Sequence, residues 1–97
     1  MPGLSKFLSG NIIKSIYPMI DEIEAFEITD ANFIVFRVYL NDREINSDNM
    51  YKKGLDPHYL MDYHITKYLP YFGIRPTMGL GFVLVGPDNK VIQTYLE

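Results

Sequence analysis

Residues 33–40 read FIVFRVYL, and no other run constrains the fold of this chain so strongly. β-Branched and aromatic residues fill it, and the turn-forming Thr29-Asp30-Ala31-Asn32 precedes it, which marks a strand. Successive side chains of a strand point to opposite faces. One face therefore carries Ile34, Phe36, Val38 and Leu40, and the other carries Phe33, Val35, Arg37 and Tyr39. Neither face is polar. Such a strand needs cover on both sides, because exposed apolar surface is unfavourable by about 25 cal/mol per Å².

The rest of the chain supplies partners for it. Residues 23–28 alternate and predict a strand that forms a hairpin with 33–40. Residues 4–17 predict an amphipathic helix with Leu4, Phe7, Leu8, Ile12, Ile13 and Ile16 on an imperfect stripe; Gly10 weakens it and Pro18 ends it, with a kinked extension to about residue 22 as an alternative. Residues 41–54, NDREINSDNMYKKG, are polar and long for a connection in a compact domain, which points to a functional or mobile loop. Asp56 and Pro57 then form a helix start, an N-cap followed by proline at the first position. Pro70 and Gly73 bound the helix, predicted over 56–70, at its other end. Residues 74–79 read as a loop, 80–85 as a strand apolar on both sides, 86–90 as a tight reversal and 91–96 as the last strand.

These elements predict an α+β fold. The expected architecture is a two-layer sandwich of two helices on an antiparallel four-stranded sheet, in the order α-β-β-α-β-β. The whole chain, 1–97, reads as a single domain. Two helices cover one face of such a sheet. The other face would carry Phe33, Val35 and Tyr39, with Val83 from the third strand, and large exposed apolar patches mark interfaces. A protein partner, first of all a second copy, is expected there; the alternative is that the long loop or a terminus folds across it.

Composition excludes several classes. No apolar run approaches the roughly 18 residues a membrane-spanning helix needs. The first residues lack the apolar block and cleavage site of a signal peptide, so a cytoplasmic location is expected. With no cysteine there are no disulfides or thiolate sites. The net charge of −3 argues against binding nucleic acid through phosphates.

Candidate site residues are few. His58 and Asp62 lie four apart, where helical side chains meet, and form the candidate ligand-binding or acid–base pair, with the 41–54 loop beside them. One histidine and one aspartate do not make a zinc site, and the two histidines, six residues apart, do not share a helix face. His64 falls on the apolar arc with Met61, Ile65, Tyr68 and Phe72, which predicts a core histidine. Tyr59 and Tyr63 fall on the polar side and suit an interface. Phe33, Arg37 and Tyr39, with Lys52 and Lys53, give a weak nucleic-acid reading, although the basic surround of such platforms is missing. Gly79 and Gly81 stand before a strand, where a phosphate loop would follow one, so they read as a bend or bulge. Asp42, Glu44, Asn46 and Asp48 lack the glycine and closing glutamate of a calcium loop. No metal or cofactor is expected. The leading functional expectation is a small non-enzymatic interaction or assembly protein, with a small enzyme or ligand-binding domain as the alternative.

Overall fold

The computed structural model describes residues 1–75 and 77–96, and of Asn11 the backbone only; Pro76, in the predicted 74–79 loop, and Glu97 lie outside the described residues. Four strands form one sheet: β1 (Ile20–Ile28), β2 (Phe33–Leu40), β3 (Gly79–Val85) and β4 (Val91–Leu96), in that spatial order. Pairs β1–β2 and β3–β4 are antiparallel hairpins, but β2 and β3 run parallel. The sheet is therefore mixed, and the expectation of a wholly antiparallel one is corrected. The reason lies in the connection between the hairpins. Parallel neighbours need a crossover of a dozen residues or more, usually through a helix. Everything between Leu40 and Gly79 supplies it. The two central strands are also those with apolar residues on both sides, as parallel pairing favours.

The N-terminal helix is also corrected: it is two short helices, α1 (Pro2–Leu8) and α2 (Asn11–Ile16), so the element order begins α-α. The chain breaks at Ser9-Gly10, where Gly10 turns to an extended backbone. The break changes the phase of the apolar stripe. Leu4, Leu8 and Ile13 reach the core, whereas Phe7, Ile12 and Ile16 stay exposed.

The break also serves β1. Ser9 Oγ accepts from the Ile23 N–H at 2.9 Å and donates to its carbonyl at 3.0 Å. Ser5 Oγ accepts from the Ala25 N–H at 2.8 Å, with the carbonyls of Ala25 and Met1 in reach of its hydrogen. Four residues of helix rise about 6 Å. Two residues of strand advance about 6.7 Å. Serines at i and i+4 on α1 therefore match alternate residues on the outer edge of β1, whose main-chain groups have no strand to bind.

The core lies on one face of the sheet. Ile34, Phe36, Val38 and Leu40 of β2 meet Leu4, Leu8 and Ile13 from the N-terminal helices and Leu60, Met61, Ile65 and Leu69 from the second helical segment. The 41–54 loop joins the same core through Ile45 and Met50. That connection is built as turns. Asn46 Oδ1 accepts from the N–H groups of Asp48 and Asn49, and Asn49 Oδ1 accepts from the Asn46 N–H.

The second helical segment begins as the sequence predicts. Asp56 caps α3 (Pro57–Tyr59) by accepting from the N–H groups of His58 and Tyr59 at 3.1 and 3.2 Å. It then widens into a π-helical stretch over Leu60–Ile65, where the Thr66 N–H reaches the Met61 carbonyl. It tightens again into a 3₁₀ stretch over Thr66–Phe72 that contains Pro70 and ends at Gly73, φ 76°. Among the described residues, no helix is long and apolar enough to cross a membrane.

Candidate interaction surface

The face of the sheet opposite the core is ordered in rows by the strand register. Ile28, Phe33 and Gly79 form one end row, and Phe26, Val35, Gly81 and Leu96 the next. Glu24, Arg37, Val83 and Thr94 follow, then Glu22, Tyr39 and Val85. Half of this face is apolar and half is polar. Helices and loop put their buried residues on the other side. Phe33, Val35, Tyr39 and Val83, the predicted interface residues of the sheet, are half-buried here and touch each other's rows.

Phe33 lies flat on this face. A Cβ at Gly79 would stand 2.4 Å from its ring, and one at Gly81 would stand 2.7 Å from it. The glycines thus form a bed for the aromatic ring of the neighbouring strand. The sequence reading of a bend or bulge misses this role: the register shifts fall at Ile20/Glu22 and Leu84/Val85.

The polar half is held by one small network. Arg37 Nη1 stands 3.4 Å from Glu24 Oε1 and donates to the Tyr39 hydroxyl at 3.3 Å, while that hydroxyl donates to Glu24 Oε1 at 3.3 Å. The guanidinium also lies 5.2 Å from the centre of the Phe26 ring. Arg37, offered by the sequence as a base-stacking cation, is thus paired within the chain. Lys53 is paired too, with Glu44 at 3.0 Å and Asp42 at 3.7 Å, in the loop that packs on the opposite face.

The helical layer has its own aromatic surface. His64 is buried, with ring centroids 5.5 Å from Tyr17, 5.4 Å from Tyr59 and 5.3 Å from Tyr63. Tyr59 and Tyr63 stack at 4.9 Å with planes 11° apart, yet stay 50% and 57% exposed. The Lys67 ammonium lies over Tyr63 and Tyr68. Burial, and then the nearby Lys67 charge, lowers the His64 pKa below its ordinary 6.5. The native state therefore binds the proton less well than the unfolded chain. Stability attributable to His64 is full above about pH 6.5 and falls as pH drops toward the lowered native value. Urea unfolding at about pH 5 and about pH 8 is expected to show this slope, and His64→Gln is expected to flatten it.

The His58 ring meets Tyr95 of β4 edge-on at 4.8 Å. Among the described residues no hydrogen bond or ion pair joins His58 to Asp62, and no group of three or more His, Asp or Glu side chains is arranged to hold a metal. A concavity of about 850 Å³ lies beside α1 and β1 and is lined by Lys6, Glu22, Glu24 and Arg37, with Ser5 and Ser9. Those two hydroxyls are committed to the β1 main chain, and among the described residues no histidine lines the concavity to act as a base.

Sequence reasoning misses Ser5, Ser9, Phe26, Ile28 and Leu96 as parts of these surfaces. The serine spacing of four on an apolar helix face is the signal that points to the first two. No family model matches the chain, and neither a curated protein nor a solved structure shows significant similarity to it.

Proposed function

We propose that the protein is a non-enzymatic interaction module that self-associates through the open face of its sheet. The observation that supports this is the apolar half of that face: Phe26, Ile28, Phe33, Val35 and Leu96 converge from three strands onto rows that, among the described residues, no helix covers. Phe33 is laid flat by its glycine bed, so the face is level enough to receive another sheet at the usual spacing of about 10 Å. At the edge of the contact Glu24 and Arg37 give a two-fold-related copy one charge of each sign to pair with. Tyr59 and Tyr63 extend the same reading to the helical layer, as stacked rings with low entropy to lose.

Light scattering over a concentration series is the test. A dimer or higher assembly is expected, and Val35→Asp is expected to dissociate it at least about tenfold by placing a charge in the contact. His58→Ala is expected to leave the mass unchanged. A mass fixed at one chain throughout, or one that Val35→Asp does not alter while the thermal midpoint stays put, sinks the reading.

A further inference from the structure

The two edges of the sheet are treated differently. The outer edge of β1 is capped by Ser5 and Ser9. Among the described residues, no group outside the β3–β4 hairpin hydrogen-bonds the main chain of Val91–Leu96. Edge strands are ordinarily blunted by charge, proline, a bulge or a cover. Residues 91–96, VIQTYL, carry neither charge nor proline, and Val91 and Leu96 are 62% and 76% exposed. The one irregularity, at Leu84/Val85, leaves the pairing from Gln93 onward regular.

Which main-chain groups point outward follows from the register, because they alternate sides along a strand. Ile23 and Ala25 receive their serines from outside, so Glu24 faces β2 and pairs with Arg37. Phe36 and Val38 then face β3. The Gly79 N–H donates to the Asn32 carbonyl, so the odd-numbered residues of β3 face β2, and Phe82 and Leu84 face β4. Their partners are Tyr95 and Gln93. Thr94 and Leu96 therefore turn their N–H and C=O groups to the outside.

We infer that β4 is a pairing edge for a second copy of this chain, joined antiparallel about a two-fold axis through Thr94. An axis perpendicular to the sheet brings residues of the same face opposite one another. Thr94 then faces Thr94 of the second copy and exchanges both main-chain hydrogen bonds with it. Gln93 faces Tyr95, while Ile92, the extra residue of the irregularity, packs against the core and stays outside the pairing. No charge opposes a like charge, and a cross-strand threonine pair is a favourable one. The strand is thus complementary to itself, which favours a second copy over an unrelated peptide. Pairing in this way makes one sheet of two and runs the two open faces together. It is a contact separate from stacking of those faces.

The residue on the axis meets itself, and this gives the test. Wild-type chain is expected to dimerise in sedimentation equilibrium. Thr94→Asp and Thr94→Lys are each expected to weaken the dimer at least about tenfold through like charge across the axis. An equimolar mixture of the two is expected to restore it, with circular dichroism and thermal midpoint unchanged in each. A wild type that stays monomeric, variants that keep the wild-type mass, or a mixture that fails to reassociate overturns the inference. A dimer broken by Val35→Asp but not by Thr94→Asp overturns it too, while leaving the face reading in place; the reverse pattern supports it and sinks the face reading.

Discussion

Replacing Ser5 and Ser9 together by alanine is expected to lower stability by about 2–4 kcal/mol and to make the β1 edge a site of association. Each hydroxyl accepts from one strand N–H, at 2.8 and 2.9 Å, and stands near the carbonyl of the same residue. Alanine keeps the helix, and its propensity is better than serine's. The loss therefore falls on the strand, where two N–H groups lie under α1 with no acceptor. An unsatisfied buried polar group costs about 1–3 kcal/mol, and the half-exposed setting lets water recover part of it. Urea denaturation reads the stability change. Light scattering at rising concentration reads the second effect. Ser15→Ala is the control: its hydroxyl donates only to the Ile12 carbonyl on an exposed helix turn, so a change within about 0.5 kcal/mol is expected. A double variant as stable as that control shows the serine pair to be incidental.

The serine pair and β4 belong to one balance. A sheet of this size has two edges, and each offers a row of main-chain groups to any passing strand. The chain closes one edge with its own first helix, and among the described residues the other carries no charge. α1 is only seven residues long and is held to β1 through its side chains, so its placement depends on the hydroxyls as much as they depend on it.

How far the fold can be read from residues depends on the range of the interactions that decide it. Residues 33–40 are legible because alternation is local: the observed burial alternates residue by residue. The Asp56-Pro57 helix start is legible for the same reason. Strand order is not local. Four strands in two hairpins fit an antiparallel sheet or a mixed one, and the choice rests on where the crossover between Leu40 and Gly79 lands. The break at Ser9-Gly10 is half legible: glycine weakens a helix, and Gly10 is where the backbone turns extended. Widening of the helix over Leu60–Ile65 leaves no mark in the sequence, yet it shifts the apolar arc beyond it: Leu69 is buried where the helical period predicts Tyr68 and Phe72. His64 lies inside as that arc predicts, held among tyrosines. The surface of the sheet was legible only for β2 and for Val83 of β3. Phe26, Ile28 and Leu96 join it through register, which no single strand contains.

Adding methyl groups at Gly79 and Gly81 together is expected to destabilise the fold by about 2–4 kcal/mol, although alanine is intrinsically better than glycine in a strand. Both new Cβ atoms would enter the Phe33 ring, at 2.4 and 2.7 Å, from the parallel neighbouring strand. The ring is a side chain and can swing away, but doing so exposes it and uncovers the strand beneath. Gly81 is also buried, so the added volume has little room. The sign of the effect therefore depends on Phe33. In a Phe33→Ala background the ring is gone, the glycine bed is empty space, and the same two substitutions are expected to be neutral or stabilising by a few tenths of a kcal/mol each. The four proteins of this cycle isolate the coupling, expected at about 2–3 kcal/mol. If the glycines instead serve a backbone bend, the substitutions destabilise equally with and without Phe33, and the coupling vanishes. The cycle bears on function as well. A lifted Phe33 ring roughens the open face, so Gly79→Ala/Gly81→Ala is expected to weaken self-association even where the chain remains folded.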